Sequence, residues 1–185
     1  IIILNWNGYD DTRRCIFSLD ACADHSLFDI MIIDNGSLND EGAKLKSEFR
    51  HIHLISNHVN LGFAAAVNQG ISRAEDVGYR YVLILNNDVE AKRDFFKPLC
   101  RTITLDTRTV AMPIILQEDS DRIQNVGATL SFFLGLGIHI GKGKPYQTIK
   151  VPAKVDYLPF VCVAAPVEAF HEVGLLDENY FAYYE

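Results

Sequence analysis

Apolar residues in this chain come in short runs that break off abruptly into polar ones. The clearest case is Tyr81-Val-Leu-Ile-Leu-Asn-Asn-Asp88, where five apolar residues lead straight into two amides and a carboxylate. A run without polar alternation fits a central parallel strand covered by helices on both faces. Ile1 to Leu4 predicts a first strand that leaves through Asn5-Trp6-Asn7-Gly8, and Phe28 to Ile33 a second that leaves through Asp34-Asn35-Gly36-Ser37. His51 to Ile55 predicts a third, with Ser56 to Gly62 as its polar exit. Between these runs the spacing turns helical. Cys15, Ile16, Leu19 and Cys22 mark one helix; Ala43, Leu45 and Phe49 mark another; Phe63 to Glu75 and Asp94 to Leu105 read as two more. Asp10 or Asp11 is the expected cap of the first helix and Asp40 of the second, because a carboxylate accepts the free amide hydrogens of a first turn. Strands alternating with helices at this rhythm predict right-handed βαβ units, hence an α/β fold with an open, mostly parallel, Rossmann-like sheet flanked by helices.

The rhythm changes after Leu105. Val110 to Leu116 reads as a further strand, and Arg122 to Lys150, rich in glycine and aromatic residues, as hairpin strands. Val155 to Ala165 reads as a longer strand, followed by a short helix with Pro166 in its first turn and Gly174 at its end. The C-terminal portion is therefore expected to be mixed or antiparallel. No linker divides the chain, so residues 1–185 are expected to form one domain with halves at 1–105 and 106–185.

Composition narrows the possibilities. A chain of 185 residues that is 49% apolar suffices for a single core. A net charge of -7 without a dense Lys/Arg run argues against a nucleic-acid surface. Cys15, Cys22, Cys100 and Cys162 show neither a CxxC pair nor zinc spacing with histidine, and are expected as reduced, mostly buried thiols of a cytoplasmic protein. His51 and His53 are expected near a sheet edge. The longest mostly apolar segment, Leu130 to Ile140, is too short for a bilayer span, which needs about 20 residues. Because the chain opens inside a strand and ends at Glu185 without a tail, it reads as a fragment of a longer one.

Ligands of open α/β sheets bind at the carboxyl edge of the strands. In a parallel sheet, the exits at Trp6 and Asn7, at Asp34 and Asn35, and at Asn86, Asn87 and Asp88 converge on that edge. Asp88 is the first functional candidate; the alternative for it is an ordinary Asx-rich turn. The alternative for Trp6 is core packing, and for Asp34 a turn with Asn-Gly-Ser. Gly62 either lets a ligand approach the backbone or permits a left-handed turn. Asn68, inside a predicted helix, is expected to hold a ligand or a neighbouring loop.

Five stretches in order carry a resemblance: Asn5-Trp6-Asn7; Ile33-Asp34-Asn35-Gly36-Ser37; Asn60-Leu61-Gly62-Phe63-Ala64 with Val67-Asn68-Gln69-Gly70; Leu85-Asn86-Asn87-Asp88; and Val173-Gly174-Leu-Leu-Asp177-Glu178 with Tyr180-Phe181-Ala182-Tyr183-Tyr184-Glu185. Together they resemble the family-2 glycosyltransferases of the GT-A fold, in particular the rhamnosyltransferase-like branch. The resemblance implies that residues 1–105 bind a nucleoside-diphosphate sugar and that 106–185 face the acceptor. It makes Trp6 an aromatic wall for the nucleoside and Asp34 an acceptor for the base ring N–H, with Asn5, Asn7, Asn35, Asn60, Gly62 and Asn68 around them. Asn86-Asn87-Asp88 resembles the family's DxD motif, so Asp88 would ligate a divalent cation, Mg²⁺ or Mn²⁺, while Asn86 or Asn87 binds sugar or phosphate. The first carboxylate of that motif is absent here, which lowers metal affinity without removing the means to neutralise a diphosphate. Relatives place a general-base Asp in an acidic pair after the aromatic run. Glu185 would be the first member of that pair, and Asp177 an acceptor-side contact. Phe160 to Val167 departs from the small residues and basic pair that relatives carry.

The function expected from this resemblance is inverting transfer of a sugar to an acceptor hydroxyl in polysaccharide or glycan synthesis. The expected partners are a nucleotide-sugar donor and a glycan or lipid-linked acceptor, with no nucleic acid. The setting is the cytoplasm, at the inner face of the membrane if further sequence tethers the chain there. Two rivals stay open: a nucleotide-sugar binding module without transfer activity, and a sugar nucleotidyltransferase, against which Asn5 to Asp11 lacks a glycine-rich basic phosphate loop.

Overall fold

Three uninterrupted apolar runs and the mixed run His51 to Ile55 form the four parallel strands. In the computed structural model, which describes residues 1–106, 108–131, 133, 136–150 and 154–181, these are β1 (Ile2–Asn5), β2 (Met31–Asn35), β3 (His53–Asn57) and β4 (Tyr81–Asn86). A fifth strand, Cys162–Pro166, runs antiparallel to β4 and completes a sheet of order 3-2-1-4 plus this strand at the edge. Helices α1 (Tyr9–Asp20), α2 (Glu41–Glu48), α3 (Phe63–Val77) and α4 (Phe96–Ile103) connect or follow the parallel strands.

Alternation along each buried strand feeds two cores. Ile3, Ile32, Leu83 and Leu85 point to a cluster with Ile16, Leu19, Leu45 and Leu99, on the side of α1, α2 and α4. Ile2, Ile33, Val82 and Ile84 point the other way, to Ala66, Val67, Ile71 and Ala74 of α3. Burying one such Ile or Leu side chain is worth about 1.5–3 kcal/mol, which explains why both strand faces are apolar. The expected α/β sheet with helices on both faces is therefore the one observed.

The strands reach further into the polar exits than the apolar runs suggest. Register pairs Asn5 with Asp34, Asp34 with Ser56 and Asn35 with Asn57. The polar residues expected just beyond β1 and β2 thus lie within the ladder. The second and third strands also begin later than expected, at Met31 and His53. His53 starts the edge strand, and His51 precedes it and pairs with Asp20 at 3.0 Å.

The later chain departs most from expectation. Between Val110 and Leu116 only β5 (Ile115–Leu116) is a strand, and Ala111 makes an isolated bridge to Ala164. Residues 122–150 do hold hairpin strands: β6 (Ile123–Asn125) pairs with β5, and β7 (Ala128–Ser131) pairs with β8 (Leu136–His139). The predicted long strand from Val155 shortens to β9 (Cys162–Pro166). Pro166 ends that strand rather than opening the first helical turn, which starts at Val167 in α5 (Val167–Val173). All four cysteines are free; three are buried and Cys100 is half-buried.

Two expected caps are also replaced. Gly8 occupies the cap position of α1, and Asp10 and Asp11 lie inside its first turn, where they oppose the positive end of the helix without a capping hydrogen bond. Asp40 stands at the cap of α2 in a left-handed conformation, φ 53°, and its side chain caps nothing. The carboxylate that serves α2 comes from β2: Asp34 Oδ2 accepts the Gly42 N–H at 3.0 Å.

Candidate active site

The carboxyl ends of β1, β2 and β4 are joined by side-chain hydrogen bonds. Asn5 is wholly buried and sits at the centre. Its amide Nδ2 lies 3.1 Å from Asp34 Oδ1, 3.0 Å from Ser37 Oγ and 3.1 Å from Glu41 Oε2. Its Oδ1 accepts from Thr12 Oγ1 at 2.7 Å, and Thr12 Oγ1 in turn accepts from Asn87 Nδ2 at 3.0 Å. A relay therefore runs from the exit of β4 through α1 to the exits of β1 and β2. Gly8 makes room for it, because a Cβ there would stand 2.6 Å from Asn87 Nδ2.

Neighbouring residues fix the rest of the rim. Asn7 takes φ 51°, donates its backbone N–H to Ser37 Oγ at 2.9 Å and accepts the Leu38 N–H at 2.8 Å on Oδ1. Asn35, 1% exposed, donates to Asn60 Oδ1 and the Gly62 carbonyl, and accepts from Asn57 Nδ2 and the Leu61 N–H. Asn60 Oδ1 also accepts the Gly62 N–H at 2.9 Å. The buried amides Asn5 and Asn35 and the buried carboxylate Asp34 thus have their polar atoms engaged by the chain itself. Among the described residues no buried side-chain nitrogen or oxygen lacks a partner, as burial of polar groups requires.

Two candidates stand exposed on this frame. Trp6 is 55% exposed, so core packing is not its role. Asp88 is exposed one residue beyond Asn87. Its carboxylate and that of Glu90 act on the buried Cys15 thiol, which desolvation first, and the nearby Cys162 and these negative charges next, push up to about 12. Asn86 is tied by its backbone, whose N–H donates to the Val161 carbonyl at 2.9 Å.

Gly62 and Asn68 serve a segment of the chain itself. Gly62 has φ 85°, and a Cβ on it would meet the Phe181 carbonyl at 2.7 Å; the adjacent Phe63 N–H donates to that carbonyl at 2.8 Å. Asn68 donates to the Leu176 carbonyl and to Glu178 Oε1, and accepts the Leu176 N–H. Of the two expectations for Asn68, it meets the neighbouring loop. This clamp holds exposed Asp177, whose Oδ1 accepts from the Asn179 backbone N–H at 2.9 Å and from Asn179 Nδ2 at 2.8 Å. Glu185 lies outside the described residues.

Among the described residues no group of three His, Cys, Asp or Glu side chains could hold a metal ion. The donor set at the β4 exit is a single exposed carboxylate flanked by amides. It suits a hard cation that takes its other ligands from phosphate and water, not a cation caged by protein. A cavity of about 400 Å³ lies elsewhere, at the amino ends of the strands, lined by Ile1, Phe28, Tyr81, Leu99 and Ile103 among others. None of the candidate residues lines it, and ligands of such sheets bind at the opposite edge.

Thr12, Glu41 and Asn57 are the parts of this network that sequence reading does not single out, and Ser37 enters it only as the last residue of the Asp34-Asn35-Gly36-Ser37 exit. A buried hydroxyl in a helix's first turn is the only trace that Thr12 leaves in the chain.

The family model described as Glycosyl transferase family 2 matches residues 1–173. A low-salt glycan biosynthesis hexosyltransferase of Haloferax volcanii is 23% identical over 189 residues, covering 100% of this chain and 58% of its own length. An N-acetylglucosaminyl-diphospho-decaprenol L-rhamnosyltransferase of Mycobacterium tuberculosis is 20% identical over 205 residues, covering 100% and 66%. A dTDP-rhamnosyl transferase of Shigella flexneri is 23% identical over 155 residues, covering 84% and 50%. This chain thus spans about half to two thirds of the length of these curated relatives. The fold is shared with solved structures: GalNAc-T7 with UDP, GalNAc and Mn²⁺, at TM-score 0.71 and 18% identity over 96% of this chain and 36% of that one, and S. aureus TarS 1–349, at 0.67 and 11% over 98% and 51%. With a GT-A-type sheet and a family match over nearly all of its length, the chain belongs to glycosyl transferase family 2.

Proposed function

We propose that this chain carries the donor-binding and part of the acceptor-binding apparatus of an inverting glycosyltransferase, which moves a sugar from a nucleoside diphosphate to an acceptor hydroxyl in glycan or polysaccharide synthesis. The observation that carries the reading is the relay from Asn87 through Thr12 and Asn5 to Asp34. It locks the three strand exits into one preorganised rim, with exposed Trp6 and Asp88 left to meet a ligand. Residues 1–105 would serve the donor and 106–185 the acceptor.

In this reading Trp6 stacks on the nucleoside and Asp34 accepts from the base ring N–H with the lone pairs that Asn5 and Gly42 leave. Asn7, Asn35, Asn60 and Gly62 hold the loops around it. Asn86 and Asn87 bind sugar or phosphate. Asp88 would hold Mg²⁺ or Mn²⁺ together with the diphosphate, and a cation there supplies charge neutralisation for the leaving group. Asp177 orients the acceptor on the segment that Asn68 clamps, and Glu185 is the further carboxylate assigned to the acceptor side. A positioned base contributes about 10²- to 10⁴-fold. The reaction is set in the cytoplasm, at the inner face of the membrane where a lipid-linked acceptor would be met. The similarity to a dTDP-rhamnosyl transferase favours a thymidine nucleotide in the donor.

Titration calorimetry with dTDP and with UDP, each with and without Mn²⁺, tests this. Expected are binding that strengthens with Mn²⁺ and a loss of that gain, at least tenfold, in Asp88→Ala. Metal-independent binding that Asp88→Ala leaves unchanged would sink the reading. Asn86 in place of a carboxylate favours a second reading, a nucleotide-sugar binding module; a single-turnover assay of the protein with donor and acceptor separates the two, since a binder yields no product.

A further inference from the structure

The β7–β8 hairpin presents apolar side chains that the fold does not cover. Register pairs Thr129 with Ile138 and Ser131 with Leu136, so these four share one face. The other face, with Ala128 and Gly137, lies on Tyr157: a Cβ on Gly137 would be 3.8 Å from the Ala128 Cβ and 3.9 Å from the Tyr157 ring. Every residue of β8 is exposed. Leu136 is 60% and Ile138 53% exposed on the outward face, and Phe133, in the turn between the strands, is 96% exposed. An edge strand with an apolar outer face invites association, and soluble proteins normally blunt such strands with charge.

Basic residues outnumber acidic ones around the hairpin, although Asp156 Oδ2 accepts the Leu130 N–H at 3.1 Å and Asp121 directly precedes Arg122. From residue 122 to 155 the sequence holds Arg122, Lys142, Lys144, Lys150 and Lys154 and neither Asp nor Glu, in a chain whose net charge is -7. All five basic residues are exposed. The turn after the hairpin is fastened at its base, where Arg122 Nη1 donates to the Gly143 carbonyl at 2.7 Å and the Ile123 N–H donates to the Lys144 carbonyl at 2.9 Å. Lys142 and Lys144 thus stand three and five residues beyond the end of β8, a strand that is itself roughly 13 Å long. That is the spacing of an apolar tip seated at the acyl boundary with cations behind it among headgroups.

We infer that the β7–β8 hairpin is a docking surface for an anionic lipid bilayer: Phe133, Leu136 and Ile138 enter the interface, and Lys142, Lys144 and the neighbouring basic residues meet lipid phosphates. The charge pattern chooses this occupant over a second copy of the chain, since two such basic surfaces would repel. The inference rests on the membrane-side setting proposed above and gives it a physical contact, on the half of the chain assigned to the acceptor.

Flotation of the purified protein with vesicles of phosphatidylcholine alone, or with 30% phosphatidylglycerol, is the test. Binding is expected to the anionic vesicles, to weaken as salt is raised from about 50 to 500 mM, and to fall about tenfold or more in Phe133→Ser/Leu136→Ser/Ile138→Ser and in Lys142→Gln/Lys144→Gln. Both variants alter exposed side chains, and circular dichroism and dTDP calorimetry on the same samples report whether they fold and whether the donor reading holds. Equal binding to both vesicle types, no binding, or binding that both variants retain would overturn the inference. So would a concentration-dependent dimer that the apolar variant abolishes, which would make the hairpin a contact between copies. Loss of dTDP binding in the unmodified protein, with flotation intact, would remove the transferase reading and leave the surface.

Discussion

Thr12 holds the most connected position at the rim. It is fully buried, and its one hydroxyl serves both Asn5 and Asn87. Thr12→Val keeps the shape and removes both bonds, leaving a buried amide oxygen and a partly buried amide nitrogen without partners. A loss of about 2 kcal/mol in urea unfolding is expected, and Thr12→Ser should recover most of it. A Val variant as stable as the parent would mean the relay does not hold the exits together. The buried thiols make a second residue-level statement. Cys15 and Cys162 are both pushed up to about 12, in each case chiefly by desolvation. Their folded pKa exceeds the ordinary value near 9, so the unfolded chain releases these protons first. Stability should therefore be fully present below pH 9 and fall as pH rises from about 9 toward 12. Melting temperatures between pH 8 and 10.5 should drop, and drop less in Cys15→Ala/Cys162→Ala; an equal drop in that variant would assign the alkaline loss to other groups.

Helix starts here are held by groups that belong to other parts of the chain. The N-terminus of α2 is served by Asp34 from β2, and the start of α3 by the carbonyl of Phe181. Gly62 makes the second contact possible through both its positive φ and its missing Cβ. Gly62→Ala should therefore release the 176–181 segment: hydrogen exchange at the Phe63 amide should quicken at least tenfold, while exchange in β1 and β2 stays as it was. Unchanged protection at Phe63 would show that the segment is held by Asn68 alone. Such contacts explain what the sequence discloses and what it hides. β1, β2 and β4 are legible because both their faces are buried along an uninterrupted apolar run, whereas β3 is partly exposed and is marked by Leu54 and Ile55. The caps are not, since nothing in Asp40 or Asp11 says that Asp34 or Gly8 will take the place. Strand ends at Asn5 and Asn35 are misjudged for the same reason, since a polar residue reads as a loop until its hydrogen-bond partners are known. Asn68 was legible as a residue needing a partner, and its surroundings decide which. Beyond Leu105 the strands are two to five residues long, too short for periodicity to mark, and only the presence of hairpins is foretold.

At the scale of the molecule, charge and sheet order divide the labour. Outside residues 122–155 the chain holds 24 acidic and 12 basic residues, and within them five basic and no acidic ones, while the polar rim occupies the carboxyl edge of the sheet. The sheet itself joins the halves inferred from sequence, because β9 from the later part lies against β4 from the earlier one. Residues 1–105 alone would leave the flank of β4 unpaired and part of the core around Cys162 and Ala164 open. That fragment is expected to aggregate or remain molten, judged by near-ultraviolet circular dichroism and dye binding; a cooperative unfolding transition from it would show that the donor half folds unaided.

The antiparallel last strand also sets a timetable. On the ribosome, β4 emerges about 75 residues ahead of the strand that will flank it, a wait of roughly 4–15 s at 5–20 residues per second. Through that interval the nascent protein carries a bare, sticky margin of backbone donors and acceptors beside its most apolar strand. Its yield in a cell should then depend on what shields that margin during synthesis as much as on how stable the finished molecule becomes.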